Sequence, residues 1–193
     1  MSSVAVIDYG MGNLHSVAKA LEHVSPKTRV FVTAEPNLIR QASRIVFPGQ
    51  GAIGDAMIAL HEQGLHEVLL DVVQEKPFLG ICLGLQALLE KSAEDGGTEC
   101  LGILPGEVLR FQDPLVDSNT GVRLKVPHMG WNQAHQMCAH PIWKDIPQDS
   151  RFYFVHSYYV KAASDAVVAS TTDYGVNFVS AAHHNNVVAV QFH

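Results

Sequence analysis

At 193 residues the chain is long enough for one domain with a substantial core, and its 47% apolar and 17% charged composition is that of an ordinary globular protein. A formal net charge of −6 removes the electrostatic reason to expect a nucleic acid or an anionic membrane as partner. No window approaches the roughly 18 apolar residues of a spanning helix, and no basic stretch with an apolar run and a small-residue cleavage site opens the chain, so neither a membrane segment nor a secretory leader is expected.

Val4-Ala5-Val6-Ile7-Asp8 is a short apolar run ending in a carboxylate and predicts a buried strand; Tyr9-Gly10-Met11-Gly12-Asn13 is a glycine-rich turn. Leu14, Val17, Ala18, Leu21 and Val24 then recur at helical spacing. Arg29 to Val32 predicts a second strand, and Pro36-Asn37 opens a short helix with Leu38 and Ile39 apolar. Arg44 to Phe47 predicts a third strand, stopped by Pro48-Gly49-Gln50-Gly51. Helices are expected at Ala56 to Leu60 and Leu65 to Val73, a fourth strand at Phe78 to Ile81, and a helix at Leu83 to Lys91.

Four strand-helix alternations favour an α/β fold: an open, mostly parallel sheet with helices on both faces. Such sheets bind ligands beyond the carboxyl ends of their strands, where the turns Gly10–Asn13, Pro48–Gly51 and Gly80–Gly84 would meet in one crevice. The second half differs. Leu101 to Phe111, Arg123 to Val126, Phe152 to Val160, Val167 to Thr171, Asn177 to Ala182 and Val187 to Phe192 read mostly as strands, separated by turn-rich stretches such as Asp113 to Gly121. One domain spanning 1–193, with a mixed, partly antiparallel second half, is expected.

The three cysteines, Cys82, Cys100 and Cys138, are odd in number, widely spaced and without a C-x-x-C pair. Neither a disulfide framework nor a structural zinc site is expected, and a reduced, cytoplasmic setting follows. His61-Glu62 is followed by His66 at i+5, the wrong period for two ligands on one helix face, and no metal is expected.

Cys82 lies between Gly80 and Gly84 where a strand becomes a helix. A thiol there serves as a nucleophile, a metal ligand or a small core residue. As a nucleophile it would sit on a sharp turn that projects its side chain from the sheet. The helix N-terminus would lower its pKa, and the N–H of Leu83 would face a developing oxyanion. Pro48-Gly49-Gln50-Gly51 is a second glycine-flanked turn, able to present N–H groups to an oxyanion or carboxylate. A thiol nucleophile needs a base, and His15, His128, His156, His183, His184 and His193 are all placed near strands or turns. His193, at the carboxyl end of the run Val187 to Phe192, is the first candidate and His156 the second; spacing alone does not choose between them.

These residues resemble the class I (triad) glutamine amidotransferases. The blocks DYGMGNLHSV at Asp8–Val17, FPGQGA at Phe47–Ala52, GICLGLQ at Gly80–Gln86, PHMGWN at Pro127–Asn132, FYFVHSYYV at Phe152–Val160 and VVAVQFH at Val187–His193 follow the family's order across nearly the whole chain. They are most similar to the branch serving histidine biosynthesis. The resemblance implies a glutaminase with Cys82 as nucleophile, His193 as proton shuttle, and oxyanion donors at Leu83 and in the Gly49–Gln50–Gly51 loop. It implies glutamine contacts from Gly49, Gln86, Glu94, His156, Ser157 and Tyr158, with Glu94 pairing with the α-ammonium. It further implies no cofactor, and a heterodimer in which ammonia passes to a separate (β/α)8-barrel cyclase, with Asn13 and a Met129-Gly130-Trp131 turn at the interface. A glutaminase serving another synthase, such as that making pyridoxal phosphate, and a non-catalytic protein on the same fold are the alternatives. The chain departs from the family pattern in two ways. Gln50 stands where relatives more often have an apolar residue, which is tolerable because the backbone acts there. The family motif also continues after Gln-Phe-His with Pro-Glu, the glutamate orienting the histidine, whereas this chain stops at His193. An incomplete copy of the gene product, lacking the triad carboxylate and a last helix, is therefore expected.

Overall fold

The computed structural model describes residues 2–117 and 120–193. Its first half alternates as the apolar pattern requires: β1 Ser3–Ile7, α1 Leu14–Val24, β2 Arg29–Thr33, α2 Pro36–Gln41, β3 Arg44–Gly49, α3 Ile53–Glu62, α4 Leu65–Glu75, β4 Phe78–Cys82 and α5 Leu83–Gln86. The Asn13 side chain caps α1 by accepting the N–H of Ser16, Pro36 starts α2, and Gly64 separates α3 from α4 at φ 65°. The remainder is strand-rich: β5 Lys91–Ser92, β6 Thr98–Glu99, β7 Gly106–Arg110, β8 Leu115–Val116, β9 Arg123–Leu124, β10 His128–Gln133, β11 His135–Gln136, β12 Arg151–His156, β13 Tyr158–Ala162, β14 Val168–Asp173, β15 Asn177–His184 and β16 Val187–Val190.

The main sheet runs β2-β1-β3-β4-β16-β15-β13-β7-β5-β6, with β14 and β11 branching from β15. Strands β2, β1, β3, β4 and β16 are mutually parallel, whereas β15, β13 and β7 join antiparallel. Both faces of the parallel part carry apolar side chains, as a strand buried on both sides demands. Ala5, Ile7, Ile45 and Phe47 pack beneath α2, α3 and α4, while Val4, Val6 and Val46 face Leu14, Val17, Ala18 and Leu21 of α1. A second core, built on Phe111, Phe154, Phe178 and Phe192, fills the antiparallel half.

Three expectations need correction. The helix predicted for Leu83 to Lys91 is a single turn. The carbonyls of Ala87, Leu88, Leu89 and Glu90 instead accept N–H groups of Cys100 to Leu104, so tertiary pairing replaces helical bonding along a fully buried apolar run. The strand expected at Phe152 to Val160 is two strands broken at Ser157: β12 pairs with β10 in a separate two-stranded ribbon, and β13 lies in the main sheet. Met129-Gly130-Trp131 is therefore no turn but the middle of β10, with Met129 and Trp131 side by side on its exposed face. Of the turn-rich stretch 113–121, residues 118 and 119 lie outside the described residues. Among the described residues no helix is long and apolar enough to cross a membrane.

Candidate active site

The carboxyl ends of the parallel strands open on a cleft of about 620 Å³, lined by Asn13, Gln50, Gly51, Cys82, Leu83, Gln86, Glu94, Pro127, Tyr153, Val155, His156, Ser157, Tyr158 and His193. Strand register explains the convergence. Gly49 of β3 lies directly opposite Cys82 of β4, which places the Gln50–Gly51 loop beside the thiol. On the other flank Val190 of β16 lies opposite Ile81, so the residues after β16 run alongside Cys82 and deliver His193 to the same cleft. Met129 and Trp131 lie outside it, on the ribbon's exposed face.

Cys82 adopts φ 56° and ψ −109°, a conformation L-residues rarely take. Its flanking glycines are dictated by packing: a Cβ on Gly84 would lie 1.9 Å from the Phe47 carbonyl oxygen, and one on Gly80 2.9 Å from Ala189 Cβ. Gly49 is equally constrained, because a Cβ there would fall 2.2 Å from the Tyr9 hydroxyl. Gly51, at φ 94°, takes a backbone conformation that other residues rarely adopt.

The electrostatics differ from the sequence expectation. Burial pushes the Cys82 thiol up to about 11, against the lowering influence of the Leu83 N–H and the Gln191 side chain. Burial outweighs both donors, so the thiol is not the depressed one that a helix N-terminus was expected to give. Burial lowers the His193 imidazole pKa, leaving it neutral and able to accept a proton. Burial also raises the Glu94 carboxyl, opposed by the Ile53 N–H and assisted by the nearby Asp95 and Asp55 charges. That carboxylate already accepts the Ile53 N–H at 2.9 Å, holding the first turn of α3 next to the glycine loop.

Two residues escaped the sequence reading. Gln191 is fully buried; its Nε2 donates to Cys82 Sγ at 3.7 Å and its Oε1 accepts Gln86 Nε2 at 3.0 Å. Only the register of β16 on β4 reveals this position, although Gln191 stands two residues before His193. Tyr9, at the end of β1, is 1% exposed and its hydroxyl has no hydrogen-bond partner among the described residues. Gln86, expected to face a ligand, lines the cleft but commits its Nε2 to Gln191 and to the Tyr158 carbonyl. His156, in the cleft wall, and His128 behind it form a buried pair joined at 3.0 Å. Among the described residues no group of three or more His, Cys, Asp or Glu side chains is placed to hold a metal ion.

A thiol on a strained turn, a neutral imidazole, a glycine loop and a half-buried carboxylate in one cleft suit nucleophilic attack on an amide. The family model of class-I glutamine amidotransferases matches residues 5–193. The chain is 59% identical over 193 residues to the imidazole glycerol phosphate synthase subunit HisH of Nitrosococcus oceani, covering 100% of this chain and 90% of that protein. It is 56% identical to the same subunit of Aromatoleum aromaticum, covering 100% and 91%. Among solved structures, a glutamine amidotransferase superposes with TM-score 0.72 at 15% identity over 98% of this chain and 89% of that one. PurLQS from Thermotoga maritima gives TM-score 0.72 at 16% identity over 100% and 87%. At such identities these two likenesses concern the fold alone.

Proposed function

The chain belongs to the class-I glutamine amidotransferases, and from that premise we propose that it is the glutaminase subunit of an imidazole glycerol phosphate synthase, with residues 1–193 forming one amidotransferase domain. In this role it hydrolyses glutamine to glutamate and ammonia in the cytoplasm and works as a heterodimer with a (β/α)8-barrel cyclase that consumes the ammonia in histidine biosynthesis. The observation that carries the catalytic reading is the strained Cys82 turn, with His193 and the Gln50–Gly51 loop in one cleft.

In the proposed mechanism Cys82 Sγ attacks the substrate's side-chain amide carbonyl as His193 takes the thiol proton. Donors from the N–H of Leu83 and from the Gly49–Gln50–Gly51 loop stabilise the tetrahedral oxyanion. The C–N bond breaks as His193 returns its proton to the leaving nitrogen, releasing ammonia and leaving a glutamyl thioester. Water, deprotonated by His193, attacks the thioester; the C–S bond breaks and the thiol is restored with glutamate. Glu94 pairs with the α-ammonium, and His156, Ser157 and Tyr158 face the α-carboxylate. Asn13, Met129 and Trp131 are proposed to meet the cyclase, the last two as an exposed apolar pair on β10.

The test is glutamate release by the full chain and its Cys82→Ala variant, with and without the cyclase and its nucleotide ligand. Wild type with both should release glutamate, and Cys82→Ala should lose at least about a thousandfold. Retention of activity by the variant overturns the nucleophile assignment. Absence of release by the wild type with its cyclase overturns the function.

A further inference from the structure

The hydrogen bonds behind Cys82 form a chain whose direction is set throughout by chemistry. The Tyr158 carbonyl can only accept, and His156 Nδ1 lies 2.8 Å from it, so Nδ1 carries the hydrogen. In a neutral ring Nε2 is then an acceptor, and the atom facing it at 3.0 Å, His128 Nδ1, must donate. His128 Nε2 is left as an acceptor, matched by Asn132 Nδ2 at 3.3 Å. Asn132 cannot be flipped, because its Nδ2 also donates to the Asp173 carbonyl and its Oδ1 accepts the Gln133 N–H. Both imidazoles are buried, 2% and 6% exposed, and burial keeps them neutral.

The same Tyr158 carbonyl accepts a second donor, Gln86 Nε2, at 3.1 Å. That fixes the Gln86 carboxamide, whose Nε2 also meets Gln191 Oε1. Gln191 is thereby oriented in turn: with its oxygen occupied by a donor, its Nε2 must face the sulfur. We propose that Gln191 is the hydrogen-bond donor that sets the Cys82 sulfur for attack, and that Gln86, His156 and His128 are positioning residues acting through it, by way of the Tyr158 carbonyl on which the His156 and Gln86 donors converge. The proposal rests on Cys82 being the nucleophile. A donor aimed at sulfur favours the thiolate over the thiol, which is what a deeply buried cysteine lacks.

The experiment measures carbamidomethylation of Cys82 by iodoacetamide from pH 7 to 10, read on its own peptide by mass spectrometry so that Cys100 and Cys138 do not contribute. It needs neither glutamine nor the cyclase, so it separates failure of this proposal from failure of the glutaminase assignment. Gln191→Met, which fills the volume without a donor, should slow Cys82 labelling about tenfold at every pH in the range, the effect of one unit in thiol pKa. Gln191→Leu should act alike, and whichever variant keeps the wild-type far-UV spectrum and cooperative melt is read. His156→Leu should slow labelling in the same direction. His156→Asn, whose Nδ2 can replace the ring Nδ1–H toward Tyr158, should restore most of the wild-type rate. A folded Gln191 variant that labels as fast as wild type overturns the proposal. So do equal rates for His156→Leu and His156→Asn, a comparison that decides even if neither Gln191 variant folds. In the glutaminase assay with cyclase, the Gln191 changes should lower kcat while leaving the KM for glutamine within about twofold.

Discussion

Holding Cys82 at φ 56° costs a non-glycine residue on the order of 1–3 kcal/mol, and the surrounding residues must over-determine it. They do so by contact: Phe47, Ala189 and Leu83 occupy the space that side chains on Gly84, Gly80 and Gly49 would need. Tyr9 belongs to the same packing but, among the described residues, leaves its hydroxyl unpaired and almost fully buried against the glycine loop. An unpaired buried hydroxyl forfeits about 1–3 kcal/mol. Tyr9→Phe should therefore leave the fold intact and raise stability by about 1 kcal/mol, or about 2–4 °C in Tm for a chain of this size. A thermal melt checks this; a fall in Tm would mean that the hydroxyl has a partner.

Among the elements, Glu94, which opens the short 3-10 turn Glu94–Gly96, does two things at once. Its carboxylate holds the Ile53 N–H at the start of α3, and it lines the cleft where an α-ammonium is proposed to bind. Glu94→Ala should cost about 1 kcal/mol of stability, as loss of a helix-start acceptor does. Glu94→Gln, which keeps an oxygen for Ile53, should cost little. Both should raise the KM for glutamine by about tenfold or more, since each removes the charge facing the ammonium. Urea melts and steady-state assays on the two variants separate the roles. The first-half elements were legible in the sequence because each apolar run there pairs with one period: continuous for β1, β3 and β4, helical for α1, α3 and α4. The turns that meet in the candidate site were legible too, since glycine-flanked turns at strand ends have one place to go, whereas spacing left the choice of histidine open. What the sequence hid was tertiary. Nothing local ends α5 after Gln86; the backbone of Cys100 to Leu104 does so from elsewhere in the chain. Nothing in Phe152 to Val160 marks Ser157 as the point where the chain leaves the ribbon for the main sheet. Gln191 is silent until β16 is set beside β4.

At the scale of the whole molecule, buried titratable groups bound the pH range of stability from both sides. His128 and His156 have folded pKa values below the usual 6.5, so below that pH the unfolded chain takes up protons that the folded chain refuses. Stability should fall as pH drops from about 6.5 toward the depressed values, at up to about 1.4 kcal/mol per pH unit for each imidazole. Cys82 and Cys100 are shifted the other way, each up to about 11 by burial. Above the unfolded thiol value of 9.0 the unfolded chain loses protons that the folded chain keeps, so stability falls there too. Urea midpoints should be highest between about pH 6.5 and 9, and His128→Asn should flatten the acid limb; a midpoint that holds steady from pH 7 to 5 contradicts the neutral pair. The β10–β12 ribbon gives this arrangement a mechanical meaning. The thiol and imidazole proposed to react come from adjacent parallel strands of the central sheet, yet each is tethered to the ribbon by its own line. The Tyr153 carbonyl of β12 holds the His193 main-chain N–H, and His156 at the end of β12 reaches Cys82 through the Tyr158 carbonyl and two glutamines. The ribbon is thus a yoke, joined by hydrogen bonds both to the strand end that carries His193 and to the network that ends at Cys82.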